Sequence, residues 1–253
     1  MYKTIMDKSM ISEWERHGCI GVLTINSPPH NYFEGFQFAL LEDLKRWTDD
    51  ASLKGMIITG KGRHFSAGFD REDLFKMRNA ELFIEELRKN IAIDSYIEEL
   101  PIPVVAAITG VCFGAGLELA LSCHIRVCSE KILLSFPETG YGIIPGFNGA
   151  IRLPGKIGAC RALEMVLAGK IINADEALEM GIVDFVVPLR KVFDFSLSLL
   201  EKIVDKNSIN VIHSIMKSLN NTRKMPFEAA TEKETEICAN LISAMHKMLQ
   251  ERN

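Results

Sequence analysis

Apolar and polar positions change period several times along the chain, and each change marks a new element. Cys19–Ile25 is densely apolar and flanked by glycine, which predicts a strand. The turn Ser-Pro-Pro-His-Asn at 27–31 stops it. Phe36, Leu40, Leu41, Leu44 and Trp47 recur at helical spacing, so a helix is expected over 36–47. Gly55–Thr59 is a short apolar run closed by Gly60 and Gly62, as a buried strand requires. A charged helical stretch is expected from about Asp70 to Leu100. The run PIPVVAAITG (101–110) reads as a strand, FGAGLELAL (113–121) as a glycine turn feeding a helix, and IRVCS (125–129) as a further strand. Strands alternate with helices to about residue 185, which predicts an α/β core with both sheet faces covered. From Leu189 onward the pattern is helical throughout. Ile209, Ile212, Ile215, Met216 and Leu219 share one apolar face there, fit for core packing or for contact with another subunit. The chain divides accordingly into a core over residues 1–190, expected to bind and to catalyse, and a helical C-terminal region over 191–253, expected to serve oligomerisation and pocket cover.

Composition narrows the class. With 253 residues, 47% hydrophobic and 25% charged, the chain has ample material for a large core and none of the bias of disordered or fibrous proteins. A net charge of -4 argues against a protein built to grip nucleic acid. The six cysteines form no CxxC pair, so they are read as reduced thiols of a cytoplasmic protein, and no Cys/His spacing suggests a metal site. Lys3, Asp7 and Lys8 interrupt the first residues, so no signal peptide is expected. The uncharged segment 101–117 contains prolines and glycines and is too short to span a bilayer.

Three segments carry candidate chemistry. HFSAGFD (64–70) and GVCFGAGLELA (110–120) are small-residue turns that lead into helices. Such turns leave backbone N–H groups free to face an anion, and glycine lets the backbone approach a ligand closely. Two donors converging on one oxygen make an oxyanion hole. The third segment, FPETGYGIIPG (136–146), places Glu138 in a loop of glycine and proline. Glu118 lies among Leu117, Leu119 and Leu121, where a carboxylate is costly unless it faces a cleft. Two such acids on one cleft can divide the work, one activating water and one donating a proton. The turns are neither a P-loop nor a dinucleotide fingerprint. Residue chemistry alone therefore reaches an α/β protein with an anion-stabilising cleft.

These same residues resemble the crotonase superfamily, also called the enoyl-CoA hydratase/isomerase family. SAGFD is similar to its first oxyanion segment, GAGLELAL to its second, and PETGYGIIPG to the stretch that holds its second acid. The block 153–188 resembles the one that follows in family members. The resemblance covers roughly residues 15–188. It implies a ClpP/crotonase-like α/β fold, with repeated β-β-α units forming a spiral core and an α-helical C-terminal region. It assigns the oxyanion N–H groups to Phe69 and Ala115, water activation to Glu118, proton donation to Glu138 and an orienting N–H to Gly146. Ala67, Gly68 and Asp70, with Phe69 and Ala115, fall where the family holds coenzyme A. An acyl-CoA thioester is the implied substrate, with no cofactor beyond its coenzyme A moiety and no metal. A homotrimer or a hexamer built as a dimer of trimers is implied, with no nucleic-acid or membrane partner. Hydration of a 2-enoyl-CoA, or its reverse, is the expected reaction. An isomerase, a decarboxylase or a dehydratase of carrier-bound acyl groups is the alternative within the fold. A non-catalytic acyl-CoA or RNA-binding module is the alternative of another class. Departures from the family pattern are Cys123-His124 after the catalytic helix, Phe69, Phe147 and Asn148 near the site, and the ending MHKMLQERN. Phe147 is expected to narrow or redirect the acyl pocket, and His124 to be structural.

Overall fold

The computed structural model describes residues 7–33, 37–76 and 79–250. Strands β1 (Asp7–Ser9), β2 (Ser12–His17), β3 (Ile20–Ile25) and β4 (Gly55–Gly60) open the chain. β5 (Val104–Ile108), β6 (Val111–Phe113), β7 (Ile125–Ser129), β8 (Leu133–Ser135) and β9 (Phe185–Val187) follow. The main sheet has the order β1-β2-β3-β4-β5-β7-β9. Its first three strands are antiparallel, and from β3 to β9 every pairing is parallel. β6 and β8 pair in parallel as a second, smaller sheet. Isolated bridges from Ser66 to Cys112 and from Phe33 to Phe69 extend that second layer. A strand in the main sheet, a short strand in the second layer and then a helix recur as one unit. This is the β-β-α repeat and the crotonase-type α/β fold.

The helices are α1 (Leu41–Thr48), α2 (Arg71–Lys76), α3 (Ala80–Glu99), α4 (Ala115–Ser122), α5 (Gly149–Arg152) and α6 (Pro154–Ile157). Then come α7 (Ala159–Leu167), α8 (Ala174–Met180), α9 (Val192–Val204), α10 (Ile209–Lys224) and α11 (Phe227–Gln250). Side chains of the central strands alternate between two apolar layers. Val104, Ala106 and Ile108 of β5 enter the large core, while Val105 and Ala107 meet Val192 and Leu200 of α9 on the other face. Every position of β5 is buried, as expected of a parallel strand covered on both sides.

Two expected helices are shorter or split. The helix expected over 36–47 begins at Leu41, and Phe36 lies outside the described residues. Phe38 and Ala39 are both buried ahead of the helix. Phe38 packs on Phe33 at 5.1 Å, and its carbonyl accepts a hydrogen bond from Ser12 Oγ at 2.7 Å. The stretch expected as one helix over 70–100 forms α2 and α3. Asn79 caps α3, its side-chain oxygen accepting from the N–H groups of Glu81 at 2.9 Å and Leu82 at 3.2 Å. Among the described residues, no helix is long and apolar enough to cross a membrane.

The two glycine turns are locked back to back. Gly68 has a φ of +81°, and a Cβ there would lie 2.8 Å from the Phe113 carbonyl and 3.1 Å from the Ala115 nitrogen. A Cβ on Gly116 would lie 2.6 Å from the Ser66 carbonyl. Backbone thus touches backbone, with no room for side chains between the turns. Gly116→Ala should therefore destabilise the protein by about 1–3 kcal/mol in urea unfolding. In an unencumbered helix the same change would add about 1 kcal/mol of stability.

Candidate active site

The site grows from helix α4, in which every residue from Ala115 to Ser122 is buried. Glu118 sits in its first turn and is 1% exposed. Its Oε1 accepts hydrogen bonds from the backbone N–H groups of Phe147 at 2.7 Å and Gly149 at 2.8 Å. A Cβ on Gly149 would lie 2.8 Å from that same oxygen, so only glycine lets this N–H come so close. Burial raises the Glu118 carboxyl from its ordinary 4.5 to about 7. The N–H groups of Gly149, Phe147 and Gly146 and the Arg152 charge act in the opposite direction.

Glu138 opens a short 3-10 turn, Glu138–Tyr141. Its carboxylate lies against Gly114, where a Cβ would fall 2.7 Å from Oε1. Its Oε2 is buried and, among the described residues, has no hydrogen-bond partner. Burial pushes this carboxyl up to about 7 as well, and the charge of Glu118 adds to the effect.

Both acids line one cavity of about 650 Å³. Ala67, Phe69, Ala115 and Gly146 line it with them, and Leu87, Ile144 and Ile151 supply apolar wall. All five residues assigned catalytic roles are thus brought together. Gly68 and Asp70 are not in the wall. Gly68 packs behind it against the second turn, and Asp70 accepts a hydrogen bond from the Glu72 N–H at 2.8 Å at the start of α2. The lining ends at Ile151, and no residue of the C-terminal helices forms part of it.

Two departures find their places. Phe147 does not narrow the pocket directly, because its ring is 1% exposed and lies outside the wall. It stands edge-on to the Phe69 ring at 5.1 Å and so backs the side chain that does line the cavity. His124 accepts from the Val104 N–H at Nδ1, at 3.0 Å. Its Nε2 therefore carries the proton and faces the Glu98 carbonyl at 3.2 Å. Burial lowers its pKa to about 4, so it is a neutral strut between β5 and α3. Among the described residues, no three His, Cys, Asp or Glu side chains form a group able to hold a metal ion.

Sequence reasoning passed over a polar group behind Glu118. Asn90 and Asp94 of α3 are each 1% exposed, and the Arg152 side chain is 8% exposed. The signal was present: Asn90 and Asp94 fall on the stripe that also carries Ile93 and Ile97. A polar residue on a core-facing stripe marks a partner across the interface.

Residues 15–251 match the model of the enoyl-CoA hydratase/isomerase family. The chain belongs to this family. It is 40% identical over 168 residues to the probable enoyl-CoA hydratase of Bacillus subtilis, which spans 65% of this chain and 64% of that protein. It is 34% identical over 253 residues to the fatty acid oxidation complex subunit alpha of Idiomarina loihiensis, covering 96% of this chain and 36% of that one. The chain therefore spans less than two thirds of the length of either curated relative. Among solved structures, an enoyl-CoA hydratase from Bacillus anthracis has a TM-score of 0.83 at 28% identity, covering 95% of this chain and 91% of its own. Pseudomonas aeruginosa DspI has a TM-score of 0.88 at 27% identity, covering 94% and 98%. Enoyl-CoA hydratase/isomerase family members act on acyl-CoA substrates.

The raised Glu118 carboxyl links stability to pH. Both states hold its proton below 4.5, and the unfolded chain loses it first as pH rises. Folding stability from this group is thus full below 4.5 and is lost as pH climbs through about 7. Glu118→Gln removes that loss. Its unfolding free energy relative to wild type, from urea titrations, should rise by roughly 2–3 kcal/mol between about pH 4 and about pH 8.

Proposed function

We propose that the protein is an enoyl-CoA hydratase, adding water to a 2-enoyl-CoA thioester and dehydrating a 3-hydroxyacyl thioester in reverse. The observation that carries this reading is the placement of Glu118 and Glu138 on one cavity beside two interlocked glycine turns. The thioester oxygen is assigned to the N–H groups of Phe69 and Ala115. Ala115 opens α4, so its N–H stands at a helix N-terminus, where the backbone dipoles favour negative charge. Each such donor contributes about 3 kcal/mol to an enolate-like transition state in comparable sites.

Water loses a proton to Glu118 as its oxygen bonds to the β-carbon. Glu138 gives a proton to the α-carbon, and the C=C bond becomes C–O and C–H. Exchange of protons with solvent returns the two acids to their starting states. The surroundings support this division. Glu118 faces backbone N–H groups and Arg152, which favour its anion, and the Gly146 N–H helps hold it. Glu138 has a buried oxygen with no donor among the described residues, which favours its protonated form. An isomerase would need the acid at 138 but not the one at 118.

Ala67, Gly68 and Asp70, with Phe69 and Ala115, are assigned to coenzyme A, and the reading needs no further cofactor and no metal. Exposed Phe227, Ile242 and Met248 on α11 support assembly as a homotrimer or hexamer. Pocket cover by region 191–253 would then come across a subunit contact. Free thiols at all six cysteines support a reducing, cytoplasmic setting.

Hydration of crotonyl-CoA, followed by loss of the enoyl-thioester absorbance, tests the reading. Wild type should turn over, and Glu118→Gln and Glu138→Gln should each lose about 10²- to 10⁴-fold in kcat with unchanged circular dichroism. A wild type that binds crotonyl-CoA without hydrating it overturns the proposal.

A further inference from the structure

Glu118 is the end of a chain of contacts that crosses the molecule. Its Oε1 is held by the Phe147 N–H at 2.7 Å, and the Phe147 carbonyl in turn accepts from Arg152 Nη1 at 2.6 Å. The Arg152 fork reaches Glu98 Oε2 with Nε at 3.1 Å and Nη2 at 3.1 Å. The other carboxylate oxygen of Glu98 accepts from Arg223 Nη1 of α10 at 2.7 Å, and the Glu98 carbonyl accepts from Arg223 Nη2 at 3.0 Å. Asp94 Oδ2 lies 3.9 Å from Arg152 Nη1, and it has no hydrogen-bond partner among the described residues.

We infer that Arg152 is a positioning residue for Glu118. It fixes the 147–149 backbone that grips the carboxylate, supplies a cation that favours its anion, and ties both through Glu98 to Arg223 of the C-terminal helices. The inference rests on Glu118 being the water-activating base. Lysine cannot replace Arg152, because one ammonium cannot hold the Phe147 carbonyl and Glu98 in a planar fork.

The charged groups around Glu118 come from every packed element. α3 presents Asp94 and Glu98, the turn at 138 presents Glu138, and α5 presents Arg152. Three of these four are carboxyls; Arg152 opposes the push on Glu118 and Asp94, and Glu98 is shared between Arg152 and Arg223. Asp94 is itself pushed well above the usual carboxylate range by burial, with the charges of Glu118 and Glu98 adding to that push and Arg152 opposing it. That push weakens the hold of Asp94 on Arg152, so Glu98 is the main competitor of Glu118 for that cation. Removing the cation and removing its competitor should therefore shift Glu118 in opposite directions.

The test is a carbon-13 NMR titration of the Glu118 carboxyl in the full chain without substrate, its signal assigned by loss in Glu118→Gln. Arg152→Gln should raise its midpoint by about one unit or more, and Arg152→Lys by less. Glu98→Gln keeps an acceptor for the fork but removes the competing anion, and should lower the midpoint by about half a unit. The acid limb of the crotonyl-CoA hydration profile should move with each midpoint. An unmoved midpoint in folded Arg152→Gln, or shifts of the same sign in Arg152→Gln and Glu98→Gln, overturns the inference, because mere packing would loosen the site alike in both. Should Arg152→Gln not fold, Glu98→Gln decides: a downward shift supports the inference and none overturns it. Absent hydration by wild type would instead strike the hydratase reading, and the substrate-free titration separates the two failures.

Discussion

A single carboxylate inside a fully buried helix sets the terms for the whole site. Glu118 interrupts α4 between Leu117 and Leu119, both wholly buried. An ion in such a place must find donors or give up its charge. The donors come from the backbone at 147 and 149, which forces glycine at 149 and a tight entry into α5. That tight segment is pinned by Arg152, and Arg152 needs its own anion, which Glu98 provides from α3. Each requirement generates the next. The acid therefore dictates the course of the chain around it more than the chain dictates the acid.

The sheet supplies the second constraint. Parallel strands β4 and β5 end side by side, so the segments that leave them are neighbours from the start. Ser66 then bridges Cys112 in the second layer, and Gly68 and Gly116 bring the following turns into backbone contact. The separation of the Phe69 and Ala115 nitrogens is consequently a property of sheet spacing and not of side-chain rotamers. Donors held in place by the backbone need no rearrangement when a negative charge forms beside them, so such a rigid β-β-α repeat suits an anion-facing turn.

Strands β3, β4, β5 and β7 and the two glycine turns were legible in the sequence because they rest on local signals, whereas the short strands β1, β6, β8 and β9 and the polar β2 carry no such apolar run. Val104–Ile108 is a continuous apolar run, and glycine marks positions such as Gly68 where φ is positive. Glu118 was legible because a carboxylate is anomalous among leucines, whereas Glu138, in an ordinary loop of glycine and proline, stood out through the family resemblance. What was not legible depends on partners distant in sequence. Phe38 leaves helical pattern for Phe33 and Ser12, which shortens α1. Phe147 reads as a pocket residue until the ring of Phe69 is seen to stand in front of it. Arg152 looks like an ordinary surface arginine, since neither Asp94 nor Glu98 is near it in the chain.

The two acids and the apolar walls of the cavity sit on different material. Glu118 and Ala115 hang on α4, which is buried throughout, and Glu138 follows the wholly buried Phe136. The apolar walls come instead from segments near the surface: Leu74 from the six-residue α2, Phe83 from the first turn of α3, and Ile144 and Ile151, which are 72% and 75% exposed. An exchange at Ile144 or Ile151 disturbs no core packing and leaves the acids untouched. An exchange at Phe69 does both, because its ring faces the cavity while its edge contact with Phe147 lies over the loop that grips Glu118. Phe69 thus couples the cavity wall to the loop that holds Glu118, as do Gly146 and Asn148, which line the cavity from that segment itself.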